Sequence, residues 1–553
     1  MKILMLIVAV VTVCAFGQLN ATNYYMSPTG NDGAAGTFAA PWATFAQAVA
    51  KPLHAGDTLF VMGGTYTAAE HWYNGPSGTT LHPIVIKAYG DAVATFTNSG
   101  TGDYAEFFEV YNYAESHIVI DGESHLKHSP YPTTTRFLVF KGWCFWGGMF
   151  MFENFSSSNM IHGIVVRNCE IDGGLSGGTS ALYMVCCDSF VVENNYMHDT
   201  GPAASGDEQG SPDLMWLMSC RYGKVLNNRF EHGNHACIDM SAPYGVCRYI
   251  TFSGNVFNNG WGGGLYLMSS QYCLVDNNLF LHSGESTHYS KPAIQMNSEY
   301  NSIRRNVFYN PLNQGLFLAG SYMTGGAGGS WVQHNYIYNN TFFHNYKYAS
   351  ISMLILDTSD QPYNSVENNH FYNNILYKSL DRWNVGTGFD YECEVAVQAI
   401  NSNSAHNWTN PPWGGNRFYN NLFRHDSRGL AKDSMVAFAP QGGGVHAYKI
   451  PDLQASSPTY WSTNIGDDPK LASESPDAYG TGWWYLQSGS PCINAGIAVV
   501  DSNGIKVQAV APGYGWGNLT HSGFAPDIGA YEWGGENPSP PSVPPLSSFP
   551  GRK

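Results

Sequence analysis

Charge is scarce in this chain, and positive charge most of all. Asp, Glu, Lys and Arg make up 12% of the 553 residues, and 26 Lys and Arg stand against 42 Asp and Glu, a formal net charge of −16. That balance excludes a nucleic-acid partner, because holding phosphates takes clustered Lys and Arg. Long apolar runs are missing after the first twenty residues, so no membrane span is expected, since about 20 consecutive apolar residues are needed. The opening stretch, MKILMLIVAVVTVCAFGQLNA, has Lys2, an apolar run too short to span, and small residues up to Ala21. It reads as a secretory signal peptide over residues 1–21, placing the mature chain outside the cell, in the periplasm or on the cell surface. No C-x-x-C pair and no H-E-x-x-H helix occurs, which argues against a zinc site. The ten later cysteines follow the repeats described next, so most are expected to be small buried core thiols.

What is abundant is glycine, with 61 residues, and aromatics, at 14%. This is the composition of a turn-rich, strand-rich chain. One phrase returns along it: NNYMHDTG, NNRFEHGN, GNVFNNGW, DNNLFLHSG, RNVFYNPL, NNHFYNNI. Asn195, Asn228, Asn255, Asn278, Asn306, Asn335 and Asn369 recur at gaps of 23 to 34 residues. Two positions after each stands Met197, Phe230, Phe257, Phe280, Phe308, Ile337 or Phe371. Repeats of this length cannot bury their own apolar face, and they stack. Short alternating runs precede each phrase, for example HACIDM then YITFSGN, and they lack the 3.6-residue spacing of a helical solenoid. Two or three such strands per turn predict an all-β, single-stranded parallel β-helix. Asn suits the bends because it tolerates left-handed backbone and can bond to its equivalent one turn away.

The segment YYMSPTGNDGAAGTFAAPWATFAQAVAKPLHAGDTLFVMGGTYT resembles the start of secreted right-handed parallel β-helix proteins, among them pectate, alginate and chondroitin lyases. GDDPKL, YLQSGSPCINAG and APDIGAYEWGG resemble their last turns. Within PWATFAQAVAKPL, the apolar residues Trp42, Phe45 and Val49 predict a short capping helix over the open first turn. The expected organisation is a signal peptide (1–21), cap and first turns (22–100), β-helix core (101–450), C-terminal turns (451–535) and a Pro- and Ser-rich tail (536–553).

In a stacked sheet the outward side chains of successive turns form columns. Alignment places Asp239, Tyr266, Gln295 and Phe317 in one outward column, with Trp216 at its upper end and His235 beside its start. Two lengthened turns flank it: DTGPAASGDEQGSPD carries Glu208 and Asp213, and SGESTHYSKP carries Glu285, His288 and Lys291. The resemblance implies action on a polysaccharide, foremost β-elimination on a uronate glycan by a monomeric enzyme. In such lyases the base is commonly Lys, Arg or His, and the cation often Ca²⁺ or Arg. On that expectation Lys291 and His235 are candidate bases, with Asp239 beside them. Glu208, Asp213 and Asp239 are candidate Ca²⁺ ligands, and a bound cation locally reverses the field of an acidic protein. Trp216, Trp261, Tyr266, Glu285, His288 and Gln295 are candidate sugar contacts. Asp239 paired with Glu208 or Asp213 would instead serve a glycoside hydrolase. An epimerase, or a glycan-binding protein without catalysis, fits the same face.

Overall fold

A computed structural model describes residues 21–530 apart from internal stretches, the longest being 125–135, 201–211, 284–291, 320–331, 402–413, 425–433, 473–484 and 508–526. The signal-peptide reading and the tail fall outside the described residues, as do Glu208, Trp261, Glu285, His288 and Lys291. Among the described residues no helix is long and apolar enough to cross a membrane.

The chain winds as a right-handed parallel β-helix, the hand that parallel crossovers adopt. Each coil contributes one strand to each of three sheets. Sheet one includes Met215–Met218, Ala236–Ser241, Gly263–Gln271 and Ile294–Glu299. Sheet two includes Lys224–Leu226, Thr251–Ser253, Leu274–Asp276 and Ser302–Arg304, and sheet three Arg229–Glu231, Val256–Asn258, Leu279–Leu281 and Val307–Tyr309. Each of these strands pairs in parallel with its equivalent one coil on, as Trp216 with Asp239 and Phe230 with Phe257. In the first coils the boundary between sheets two and three is still a bend in one long strand. Ile84–Thr97 pairs with Ile118–Asp121 along its first half and with Leu138–Lys141 along its second.

Alternation explains the section. Ile238 and Met240 are fully buried while Asp239 between them faces out. Inside, Phe230, Phe257, Phe280, Phe308 and Phe342 stack with ring centroids 5.2, 4.6, 4.9 and 4.3 Å apart. Stacked pairs of this kind add roughly 0.5–1.5 kcal/mol each beyond their buried area.

The doubled Asn of the repeated phrase divides two tasks. The first takes the left-handed bend, as at Asn194 (φ 53), Asn227 (φ 53) and Asn277 (φ 54). The second points inward and bonds along the axis: Asn195 to Asn228 at 3.0 Å, Asn228 to Asn255 at 3.1 Å, Asn255 to Asn278 and Asn278 to Asn306 at 3.0 Å. Each Oδ1 also accepts the backbone N–H of the preceding Asn, and each Nδ2 donates to a backbone carbonyl, so these buried amides are satisfied. The ladder then continues through Asn340, Asn374, Asn421 and Asn464. Asn335 and Asn369, read from the sequence as the same series, belong to a second ladder with Asn301 and Asn416 at the bend before sheet two. Phe342, and not Ile337, therefore continues the Phe stack. The two bends carry the same chemistry five residues apart, so periodicity alone cannot separate them.

The ends are plugged. Helix α1 (Phe45–Ala50) is shorter than the apolar pattern suggests: Trp42 precedes it, stacked on Tyr24 at 4.8 Å, and Thr44 caps it by accepting the Gln47 N–H. At the other end, α2 (Ile450–Ser456) buries Ile450 and Leu453, and Trp461 stacks on Phe418 at 4.2 Å. The nine described cysteines are buried and free, and burial pushes the Cys237 and Cys273 thiols up to about 12.

Candidate functional site

The outward column of sheet one runs through paired residues from Trp216 to Asp239, Tyr266, Gln295 and Phe317. It does not begin at Trp216. Tyr73, Glu109, Met151 and Tyr183 extend it upstream in the same register. Tyr183 and Trp216 meet edge to face at 5.3 Å, and Trp216 Nε1 donates to Ser241 Oγ at 3.1 Å.

Asp239 joins His235, from the head of its own strand, and Asp213, from the head of the strand one coil before. Asp213, His235 and Asp239 each offer a ligand atom, and these atoms lie within 4.8 Å of one another. His235 Nδ1 sits 3.0 Å from Asp213 Oδ1; a carboxylate only accepts, so Nδ1 carries the proton and Nε2 is the basic nitrogen. Asp213 Oδ1 also accepts the Ala236 N–H at 2.8 Å, which locks the carboxylate at the head of the strand. The His235 ring meets Tyr266 edge-on at 5.2 Å, with interplanar angle 90°. Tyr266, at 3% exposure, is more a wall than a platform, whereas Trp216, Asp239 and Gln295 are partly open. The column thus unites six residues singled out from the sequence: Asp213, Trp216, His235, Asp239, Tyr266 and Gln295.

Several acidic groups escaped the sequence reading. Upstream on the same face, His71 Nε2 lies 3.0 Å from Glu109 Oε2, with Glu106 completing a donor group within 4.8 Å. Burial, reinforced by the nearby Glu109 charge, lifts the Glu153 carboxyl to about 7. On sheet three, Asp172, His198 and Asp199 form another compact donor group. Burial disfavours the His198 charge, yet hydrogen bonds to Asp199 and Glu170 outweigh it and raise the imidazole to about 9. The signal for His198 was present: it occupies the outward position that Glu231, Asn258 and Leu281 take in later coils. Two N-x-S/T triplets, Asn154-Phe155-Ser156 and Asn339-Asn340-Thr341, have their Asn buried, which leaves no room for a glycan in the folded chain.

Fold and site together define a parallel β-helix protein with a titratable cluster on one open sheet. The family model for periplasmic copper-binding protein (NosD) matches residues 192–392, the central coils. Pectate lyase PEL9 of Emericella nidulans is 40% identical over 79 residues, 14% of this chain and 19% of that protein. Among solved structures, pectate lyase Pel9A matches with TM-score 0.43 at 14% identity, covering 92% of this chain and 96% of that one. The PL6 family alginate lyase AlyGC matches with TM-score 0.37 at 15% identity, covering 86% and 61%.

Proposed function

We propose that the protein is an exported polysaccharide lyase that cleaves a uronate-containing glycan by β-elimination at the Asp213–His235–Asp239 cluster. The convergence of those three side chains in an outward column flanked by Trp216 and Gln295 carries this reading. The fragment of likeness to a pectate lyase supports it.

Elimination breaks the C5–H bond next to the uronate carboxylate, forms a C4–C5 double bond, and expels the glycosidic oxygen from C4, which then takes up a proton. His235 Nε2 is the proposed acceptor of the C5 proton, and Asp213 at Nδ1 orients the ring and stabilises the imidazolium that results. Lys291, three residues ahead of Ile294 on the Gln295 strand, is the proposed second proton carrier. The carboxylates of Asp213 and Asp239, with Glu208, suit a hard divalent cation such as Ca²⁺. The imidazole does not suit a calcium shell, so His235 is assigned to proton transfer. When bound, the cation neutralises the uronate carboxylate and acidifies C5.

The test follows the ultraviolet absorbance of the unsaturated product across a panel of uronate polymers. His235→Ala and Asp239→Asn should each lower turnover by at least ~10²-fold, the usual weight of a general base, without lowering the unfolding temperature. Chelation should lower it as well. Full activity in both variants overturns the assignment. New reducing ends without the absorbance would point instead to a hydrolase, and the carboxylates, within 4.8 Å, then stand near the ~5 Å of a retaining enzyme and not the ~6.5–9.5 Å of an inverting one.

A further inference from the structure

The bend between sheets one and two is left-handed in every coil from His117 (φ 62) to Gly415 (φ 78). After His117 a small residue or asparagine fills it at Gly163, Ser189, Asn368 and Gly415, glycine and asparagine being those that backbone favours. The five coils between Ser189 and Asn368 depart from this. Tyr222, Tyr249, Tyr272, Tyr300 and His334 take the same conformation, with φ 52, 57, 55, 59 and 55. Bulky side chains are rare there and the backbone is strained, which invites a functional account.

The rings form a regular external stack. Centroids of successive pairs lie 5.0, 5.4, 5.3 and 5.1 Å apart with interplanar angles of 8 to 16°. Tyr222 and Tyr249 are 53% and 44% exposed, among the most exposed large side chains described. A polar ribbon runs alongside: Arg221 on Asp188, Arg248 Nε donating to Gln271 at 2.9 Å, Gln271 to Glu299 at 2.6 Å, and Gln333 to Glu299 at 2.9 Å. On the other flank Lys224 is exposed two residues beyond Tyr222. Arg221, Lys224 and Arg248 thus gather around the exposed end of the stack with one carboxylate, Asp188, in a chain whose net charge is −16.

We propose that this ridge is a second polysaccharide-binding site, one corner away from the Asp213–His235–Asp239 column, that holds an extended anionic glycan along the coil axis. Aromatic edges with a row of hydroxyls, spaced about one sugar apart, meet the chain, and planar Arg and Gln groups beside them fit carboxylates and hydroxyls. The local positive charge selects an anionic polymer over a neutral one. The identity of the polymer rests on the proposed function; the ridge itself does not.

Retention by immobilised polygalacturonate tests it, in an Asp239→Asn background so that turnover cannot consume the polymer. Tyr222→Asn with Tyr249→Asn places the residue that the bend favours, so the fold is kept and the unfolding temperature should hold or rise. Retention should fall at least tenfold in that variant and in Lys224→Gln with Arg248→Gln, and added salt should weaken it in the parent. Unchanged retention in both double variants overturns the ridge, as does equal retention on a neutral glucan. Ridge-dependent retention without elimination on any uronate polymer would overturn the lyase assignment and keep the ridge. Elimination with ridge-independent retention does the reverse.

Discussion

Sheets one and three have the same parallel pairing and the same packed interior, yet in the later coils their outer surfaces differ sharply. Sheet one turns Glu109, Tyr183, Trp216, Asp239 and Gln295 outward and leaves most of them partly open. Sheet three, from Val256 onward, turns out Leu279, Leu281, Val307, Tyr309, Phe343, Ile375 and Tyr377, and buries them under Leu471, Leu486, Cys492, Ile528 and Ala530. The inner residue of each strand builds the coil; the outer one decides whether a face becomes a site or a seam. In a β-helix these choices are independent, because a strand's two faces never share a side chain.

Three sets of changes would break or sharpen that contrast. The largest effect is expected on the seam. Phe343→Ala should destabilise by about 3–5 kcal/mol, as truncation of a buried Phe does, while the proposed elimination activity per folded molecule stays unchanged. Denaturant unfolding beside specific activity measures both, and an unaltered midpoint would show that the seam contributes little. Next comes the scaffold common to both faces. Asn278→Ala strips four hydrogen bonds from two neighbouring coils and should cost about 1–3 kcal/mol. Asn277→Ala, on the left-handed side of the same bend, tests backbone conformation in place of the ladder.

The smallest effect is a pH signature that separates the two faces. Glu153, on sheet one, has its folded carboxyl raised to about 7 from 4.5. It favours the fold most when protonated, so its contribution is complete below about pH 4.5 and fades as pH rises through 7. His198, on the early part of sheet three, is raised to about 9 from 6.5. Its contribution is complete below about pH 6.5 and is lost as pH rises through 9. Thermal unfolding across pH should therefore lose a lower step in Glu153→Gln and an upper step in His198→Gln. Identical profiles in both variants would refute the assignment.

Much of this architecture was legible in the residues. The column Trp216–Asp239–Tyr266–Gln295–Phe317 followed from aligning alternating runs, because register in a half-buried strand is set by its apolar set. The nearness of Asp213 to His235 was less accessible: a residue from a lengthened turn was brought back by a backbone hydrogen bond at Ala236. Glu109 and Glu153 escaped because the early coils lack the Asn–Phe phrase, so nothing marked their register. The apolar outer face of sheet three was invisible for another reason. LFL in Leu279–Leu281 has no alternation, and only a covering segment two hundred residues later explains it.

That covering segment is fastened by the left-handed bends themselves. Asn339 Nδ2 donates to the Asp527 carbonyl at 2.9 Å, Asn373 Nδ2 to the Ile497 carbonyl at 2.8 Å, and Asn420 Nδ2 to the Ala495 carbonyl at 3.0 Å. Without that segment Leu279, Leu281, Val307 and Tyr309 would lie bare, so a chain cut before Leu471 should present a sticky apolar flank while its coils keep their own pairing.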